Sequence, residues 1–385
     1  MSTINGTAGP DTLNGASGPD QIYGLDGDDT IYGGDGTDEL NDDWINAGPG
    51  NDVIYGGAGG DWIYDETGND IVYAGAGRDL IFGSSGDDYY DGGTGYDHLI
   101  YSSAFGGILV DLNLASGQVR SLKPNDAAFV GVDTLLDIEY IGGTNFDDRM
   151  VGNAADNRFW GADGNDALLG GSGNDELLGG AGDDVLDGGE GFDQALYAGV
   201  NAAVTVSLAI NGSQNTGDGL DTLISIEGLV GTYYADVLTG NDGANYLNGD
   251  PGDDRIDGGG GDDEIEGGPG FDTLTGGSGA DTFRDSSFGH SGDTITDFGP
   301  GDRLVFTDAA LETFHYELSG NTLMYSGGSL TLSGGLQSLA ATQAAEGGVQ
   351  ITLPALPTVH STHVPIVLST YSLPPSEVDG LFGIA

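Results

Sequence analysis

An all-β solenoid of short parallel strands is the fold this sequence predicts, and three observations predict it. The chain repeats itself every nine residues, glycine supplies 74 of its 385 residues, and each repeat ends in a three-residue segment with an apolar centre. Self-similarity at a short fixed period marks a repeat architecture. From Gly6 the chain reads GTAGPDTLN, GASGPDQIY, GLDGDDTIY and GGDGTDELN. After a truncated DDWIN (Asp42 to Asn46) the register resumes with AGPGNDVIY and holds through GGTGYDHLI. Six turn-forming residues precede a minimal strand whose middle side chain (Leu13, Ile22 or Ile31) points inward. Glycine permits the positive φ that such tight turns need. Two units make one coil, so equivalent turns stack along each edge.

Taken in order, residues 1–100 form a first β-roll block, 143–196 a second and 231–284 a third. Residues 101–142 and 197–230 interrupt the period and resemble each other. One carries ILVDLNL and VDTLLDIEYIGGTNFDD, the other VTVSLAI and LDTLISIEGLVGTYYAD. Alternation in Ile108, Val110, Leu112 and Leu114, and in Val204, Val206, Leu208 and Ile210, predicts half-buried strands in these connectors. Residues 285–353 read as a β cap with hairpins near Ser319-Gly320-Asn321 and Gly327-Gly328. Residues 354–385, rich in Pro, Ser and Thr, read as a flexible tail.

Charge narrows the function. There are 62 acidic and 8 basic residues, a formal charge of −54. Phosphate backbones are bound by Lys and Arg, so nucleic acid is excluded as a partner. No stretch is long and apolar enough for a membrane helix, so membrane insertion is not expected. Cysteine is absent, which removes disulfides and thiolate metal sites. A compact state with this charge repels itself unless cations neutralise it.

The repeats place the acids. The sixth position holds Asp11, Asp20, Asp29, Asp38, Asp52, Asp61, Asp70, Asp79, Asp88 and Asp97 in the first block. The second holds Asp148, Asp166, Asp175, Asp184 and Asp193, and the third Asp236, Asp254, Asp263, Asp272 and Asp281. Stacked turns, Asp166 on Asp184 and Asp175 on Asp193, offer carboxylates and backbone carbonyls, the flexible all-oxygen cage that Ca²⁺ prefers over Mg²⁺. Asn157 and Asn245 replace the aspartate in the second turn of their blocks, and those edges should bind weakly or only cap the roll. Asp65-Glu66-Thr67 replaces a glycine-rich opening.

The pattern GGxGxDxUx resembles the haemolysin-type calcium-binding repeat of RTX proteins, over about residues 6–100, 143–196 and 231–284. The resemblance implies a right-handed parallel β-roll, Ca²⁺ bound between turns by sixth-position aspartates and neighbouring carbonyls, and folding on secretion into millimolar calcium. The end of the chain, Glu377-Val378-Asp379-Gly380-Leu381-Phe382-Gly383-Ile384-Ala385, is similar to the uncleaved signal read by the type I secretion apparatus. Met1-Ser2-Thr3 leads into glycine-rich sequence without a Sec-type leader, so an extracellular or cell-surface location is expected through that route.

No HExxH motif joins the five histidines, and Gly289-His290-Ser291-Gly292-Asp293 fails as a nucleophile elbow at its last position. The expectation is a secreted, non-enzymatic calcium-binding protein with a surface, matrix or adhesin role. The alternatives are a carrier for a separate enzyme and a hydrolase with an unrecognised site. Ninth positions should face outward. They are aromatic in block one (Tyr32, Tyr55, Tyr73) and apolar in block two (Trp160, Leu169, Leu178), an expected surface for packing or self-association.

Overall fold

The computed structural model describes residues 2–35, 43–114, 116–122, 130–333, 339–345 and 347–353. Asp38 and the 354–385 tail, with its export-like end, lie outside the described residues. Among those described, every regular element is a β-strand, and no helix is long and apolar enough to cross a membrane.

The nine-residue period becomes a two-faced parallel solenoid. On one face Leu13 pairs in register with Ile31, Ile31 with Ile54, Ile54 with Val72 and Val72 with Tyr90. On the other, Ile22, Ile45, Ile63, Ile81 and Leu99 follow in the same way. All these eighth-position side chains are buried. Because side chains alternate along a strand, each coil gives the core one inward residue per strand, and stacking joins them into one apolar column. Most interior turns take positive φ at the second position: Gly75 adopts +123°, but Leu25, Glu66, Ala162 and Asp250 adopt +77°, +69°, +79° and +60° there. A left-handed non-glycine residue costs about 1–2 kcal/mol, so the stacked register overrides local preference.

The connectors keep one face intact. Tyr140–Gly142 pairs in parallel with both His98–Ile100 and Arg158–Asp163, and Gly228–Val230 with both Gln194–Leu196 and Tyr246–Asn248. The opposite face carries the interruption. Val132–Leu136 continues Tyr89–Gly95, Ile108–Asp111 starts the run onto Arg149–Val151, and Gly117–Ser121 lies antiparallel between them. In the second connector Leu220–Ile224 continues Val185–Glu190, whereas Thr205–Ser207 opens onto Val237–Thr239. A 17-stranded sheet therefore runs through the molecule opposite sheets of 13 and 8 strands, and residues up to Leu353 form one compact unit. The connector strands are shorter than the alternation predicts. Ile108, Val110, Val204 and Val206 are buried, but Leu114 and Ile210 are exposed beyond the last paired residue.

In the cap, Tyr316–Ser319 and Thr322–Tyr325 form the hairpin expected around Gly320, and Gly328–Leu332 extends it onto Thr294–Ile295. Ninth-position side chains face outward and stack: Tyr32, Tyr55 and Tyr73 lie with ring centroids 5.0 and 5.2 Å apart, and Tyr64 and Phe82 4.2 Å apart. In block two, Leu178 is buried, and with Trp160 and Leu196 it borders a cavity of about 390 Å³ under the Tyr197–Asn201 loop.

Candidate metal centre

Each sixth-position aspartate ends a turn just where the next strand begins, so its carboxylate points back under the turn toward the adjacent coil. The backbone N–H of Asp29 donates to Asp52 Oδ1 (2.7 Å), that of Asp52 to Asp70 Oδ1 (2.7 Å) and that of Asp70 to Asp88 Oδ1 (2.8 Å). Along the other edge, Asp20 donates to Asp43, Asp43 to Asp61, Asp61 to Asp79 and Asp79 to Asp97. Blocks two and three repeat the arrangement: Asp148 to Asp166 to Asp184, Asn157 to Asp175 to Asp193, Asp236 to Asp254 to Asp272, and Asn245 to Asp263 to Asp281. Every sequence-predicted site aspartate that is described lies in one of these two ladders. All are buried except the half-buried Asp11.

The ladder occupies only Oδ1. The second oxygen, Oδ2, is buried without a hydrogen-bond partner in Asp29, Asp52, Asp70, Asp79, Asp97, Asp166, Asp175, Asp184, Asp193, Asp254, Asp263 and Asp272. An unpartnered buried polar atom is costly, and an unpartnered charge more so. The first residue of each turn shows what the space admits. A Cβ built on Gly161 would stand 2.1 Å from Asp166 Oδ2 and 2.5 Å from the carbonyl oxygen of Gly179 in the next coil. Glycine thus leaves a cradle into which a carboxylate and a carbonyl both point. These are hard oxygen donors, as Ca²⁺ coordination demands, and the residues fit that ion.

The first turn on each edge of each block is closed differently. The backbone N–H groups of Thr7, Ala16, Thr144 and Thr232 donate to Oδ2 of Asp11, Asp20, Asp148 and Asp236, four residues on. Those of Asn153 and Asn241 donate to the side-chain oxygens of Asn157 and Asn245. The hydroxyls of Thr144 and Thr232 add further hydrogen bonds. These turns satisfy themselves. The asparagines, expected to bind weakly or only to cap, stand among them.

Electrostatics follow from burial. Asp70, Asp79 and Asp166 are pushed up to about 8, Asp97, Asp184 and Asp254 to about 7, and Asp52, Asp175 and Asp263 to about 6, by desolvation first and by neighbouring carboxylates second. Asp20 moves the other way, because the Ser2 hydroxyl and the Ala16 and Ser2 N–H groups stabilise its charged form. Among the described residues, Arg158 pairs with Glu176, and Arg284 with Glu264 and Glu266, away from the ladders.

The model of the RTX calcium-binding nonapeptide repeat matches residues 5–40, 41–64, 65–99, 142–177, 160–195, 230–265 and 257–284, together more than half of the chain. This chain belongs to that family. It is a calcium-binding RTX-type protein. Among solved structures it is similar to the extracellular lipase LipA from Serratia marcescens, at 19% identity with a TM-score of 0.20. That match covers 50% of this chain and 38% of the lipase. No curated protein sequence matches it.

The RTX ladders extend past the residues that sequence reading picked out. Asp88 donates to Asp133 Oδ1, and Asp184 to Asp221 Oδ1. Asp97 and Asp193 end instead on Glu139 and Glu227. The duplicated D-T-L and I-E pairs of the two connectors were the available signal, because both recur in the same phase relative to the block that follows. Oδ2 of Asp133 accepts from the Tyr101 hydroxyl (2.7 Å), and that of Asp221 from Thr216 (2.8 Å) and Tyr197 (3.3 Å). Asp43, within the truncated repeat, is a full ladder member. In the cap, Asp293 and Asp302 receive the N–H groups of Asp272 and Asp281, whereas Asp297 accepts from Gly276 and Gly277.

Proposed function

We propose that this RTX chain is a non-catalytic protein exported through a type I apparatus, which folds when extracellular Ca²⁺ fills the cradles of its ladders and then serves at a cell surface or in a matrix. One observation carries the reading: a series of buried Oδ2 atoms with no protein partner, several of which, as at Gly161 and Gly249, share their cradle with a backbone carbonyl. The ligands are the sixth-position aspartates of the interior turns, from Asp29 to Asp97, Asp166 to Asp193 and Asp254 to Asp281. Asp11, Asp148 and Asp236 act as caps beside Asn157 and Asn245. The outward apolar stripe of blocks one and two is the surface on which copies would associate. The acidic-then-apolar segment 377–385 supports the export route.

Circular dichroism during a Ca²⁺ titration, paired with light scattering, tests this. The chain in chelator should lack β signal and gain it cooperatively near the 10⁻⁴–10⁻³ M typical of extracellular modules. Equal Mg²⁺ should not replace it. A chelated chain as ordered and heat-resistant as the calcium form would overturn the reading.

A further inference from the structure

One coil departs from the cradle design. In the repeat Asp65 to Tyr73 the first position is not small: Asp65 stands where the neighbouring coils place Ala47 and Gly83. Elsewhere on this edge of block one the first residue is glycine or alanine. A Cβ on Gly24 would lie 2.4 Å from Asp29 Oδ2. At this one coil the room is instead filled by a third carboxylate.

Its surroundings are those of a binding centre. Asp65, Asp70 and Asp88 are 0%, 1% and 3% exposed. One carboxylate oxygen from each lies within 4.8 Å of the other two. With Ca²⁺–oxygen distances of about 2.3–2.6 Å, a single ion spans that separation. Asp65 Oδ1 and Asp70 Oδ2 have no hydrogen-bond partner. The remaining oxygens are oriented. Tyr90 occupies an eighth position, where the coils on either side have Val72 and Leu135, and its buried hydroxyl shares its one proton between Asp65 Oδ2 and Asp88 Oδ2, the latter at 3.1 Å. Asp70 N–H holds Asp88 Oδ1. One coil further on, Tyr101 satisfies Asp133 and closes that side. None of the ion pairs among the described residues involves the three acids.

We propose that Asp65, Asp70 and Asp88 form a separate three-carboxylate centre, oriented by Tyr90, that binds one Ca²⁺ more tightly than the cradles around it. The proposal rests on calcium binding by the ladders and adds a site different in kind, since affinity in oxygen cages rises with the charge of the ligand set. The tightest ion then sits on the last open turn of its own edge before the first connector, where it would order the end of block one.

The full chain, loaded with Ca²⁺ and dialysed against calcium-free buffer, is compared with Asp65→Gly, which restores the glycine of the repeat, and Asp65→Asn, which keeps the shape and removes the charge. Bound calcium is measured by atomic absorption, and affinity classes by chelator competition. The wild-type chain should retain an ion that both variants lose. Its tightest class should weaken about tenfold or more, while the weaker classes and the β content at saturating Ca²⁺ stay unchanged. Terbium luminescence gives a second readout: Tyr90→Phe should reduce the emission of the first ion bound, through loss of the sensitising phenol. Identical retention and affinity classes in wild type and both variants would overturn the centre alone, leaving a carboxyl–phenol hydrogen bond inside the roll. A wild-type chain that binds no calcium overturns both this proposal and the one it rests on.

Discussion

A single ladder aspartate does two jobs with two oxygens. Asp166 Oδ1 accepts the N–H of Asp148, while Oδ2 stands open beside Gly161. Substitutions can separate the two. Asp166→Asn keeps an acceptor for Asp148 but removes the charge, so it should raise the Ca²⁺ midpoint and leave the chelated chain no less stable. Asp166→Ala also strands the N–H of Asp148, and calcium-loaded thermal melts should show a further loss of about 1–3 kcal/mol. Protons compete for the same oxygens. Asp70, Asp79 and Asp166 titrate near 8 in the metal-free fold because burial penalises their charge, against about 3.9 in an unfolded chain. The folded state then binds more protons than the unfolded one between those values, so metal-free stability falls as pH rises through that window and levels off above it. Any β signal that persists in chelator should therefore be greatest near pH 4 and least above about pH 8. The Ca²⁺ midpoint should move oppositely, to lower concentration as pH rises toward 8. A chelated chain that gains stability with pH would refute the assignment.

At the scale of one turn or connector, the molecule distinguishes positions that need an ion from positions that do not. Block entrances are closed by an N–H four residues before the acid, with a threonine hydroxyl at Asp148 and Asp236. Connectors are closed by tyrosine. Tyr101→Phe would leave Asp133 Oδ2 buried without its donor, at about 1–3 kcal/mol. Chelation should not erase that difference if block one keeps partial structure, and hydrogen exchange of residues 130–142 is the measurement. The repeat pattern revealed which residues form turns and which face inward, because both depend on a period of nine. It did not reveal that Asp133 and Glu139 extend the ladders, since the chain reaches them by a detour of strands with a different period. Nor did it show that Asp65 faces inward with Asp88. A first-position side chain meets a partner two repeats away, and only the coil brings the two together.

For the whole molecule, repulsion and burial have to be kept apart. The chain carries a formal charge of −54, and its described coils pair strand by strand with the coils before and after them, so stability is a sum of coil and interface contributions. Monovalent salt at about 1 M shrinks the Debye length to about 3 Å and screens the surface, but it does not supply ligands to buried oxygens. Salt alone should fail to fold the chelated chain, and far-ultraviolet circular dichroism in about 1 M NaCl, with and without Ca²⁺, checks this. Full β signal in salt and chelator would mean that general repulsion, rather than the unfilled cradles, keeps the chain unfolded.

The sequence by itself determined the period, the all-β class, the inward column from Leu13 onward and the acids that line the edges. Each of these follows from local alternation and from glycine at fixed phase. Tertiary structure alone decided that one sheet passes unbroken through both connectors, that the first turns cap themselves, and which carboxylate oxygens are left open. Those outcomes depend on what lies one coil above or below, and a chain read along its length has no measure of that distance.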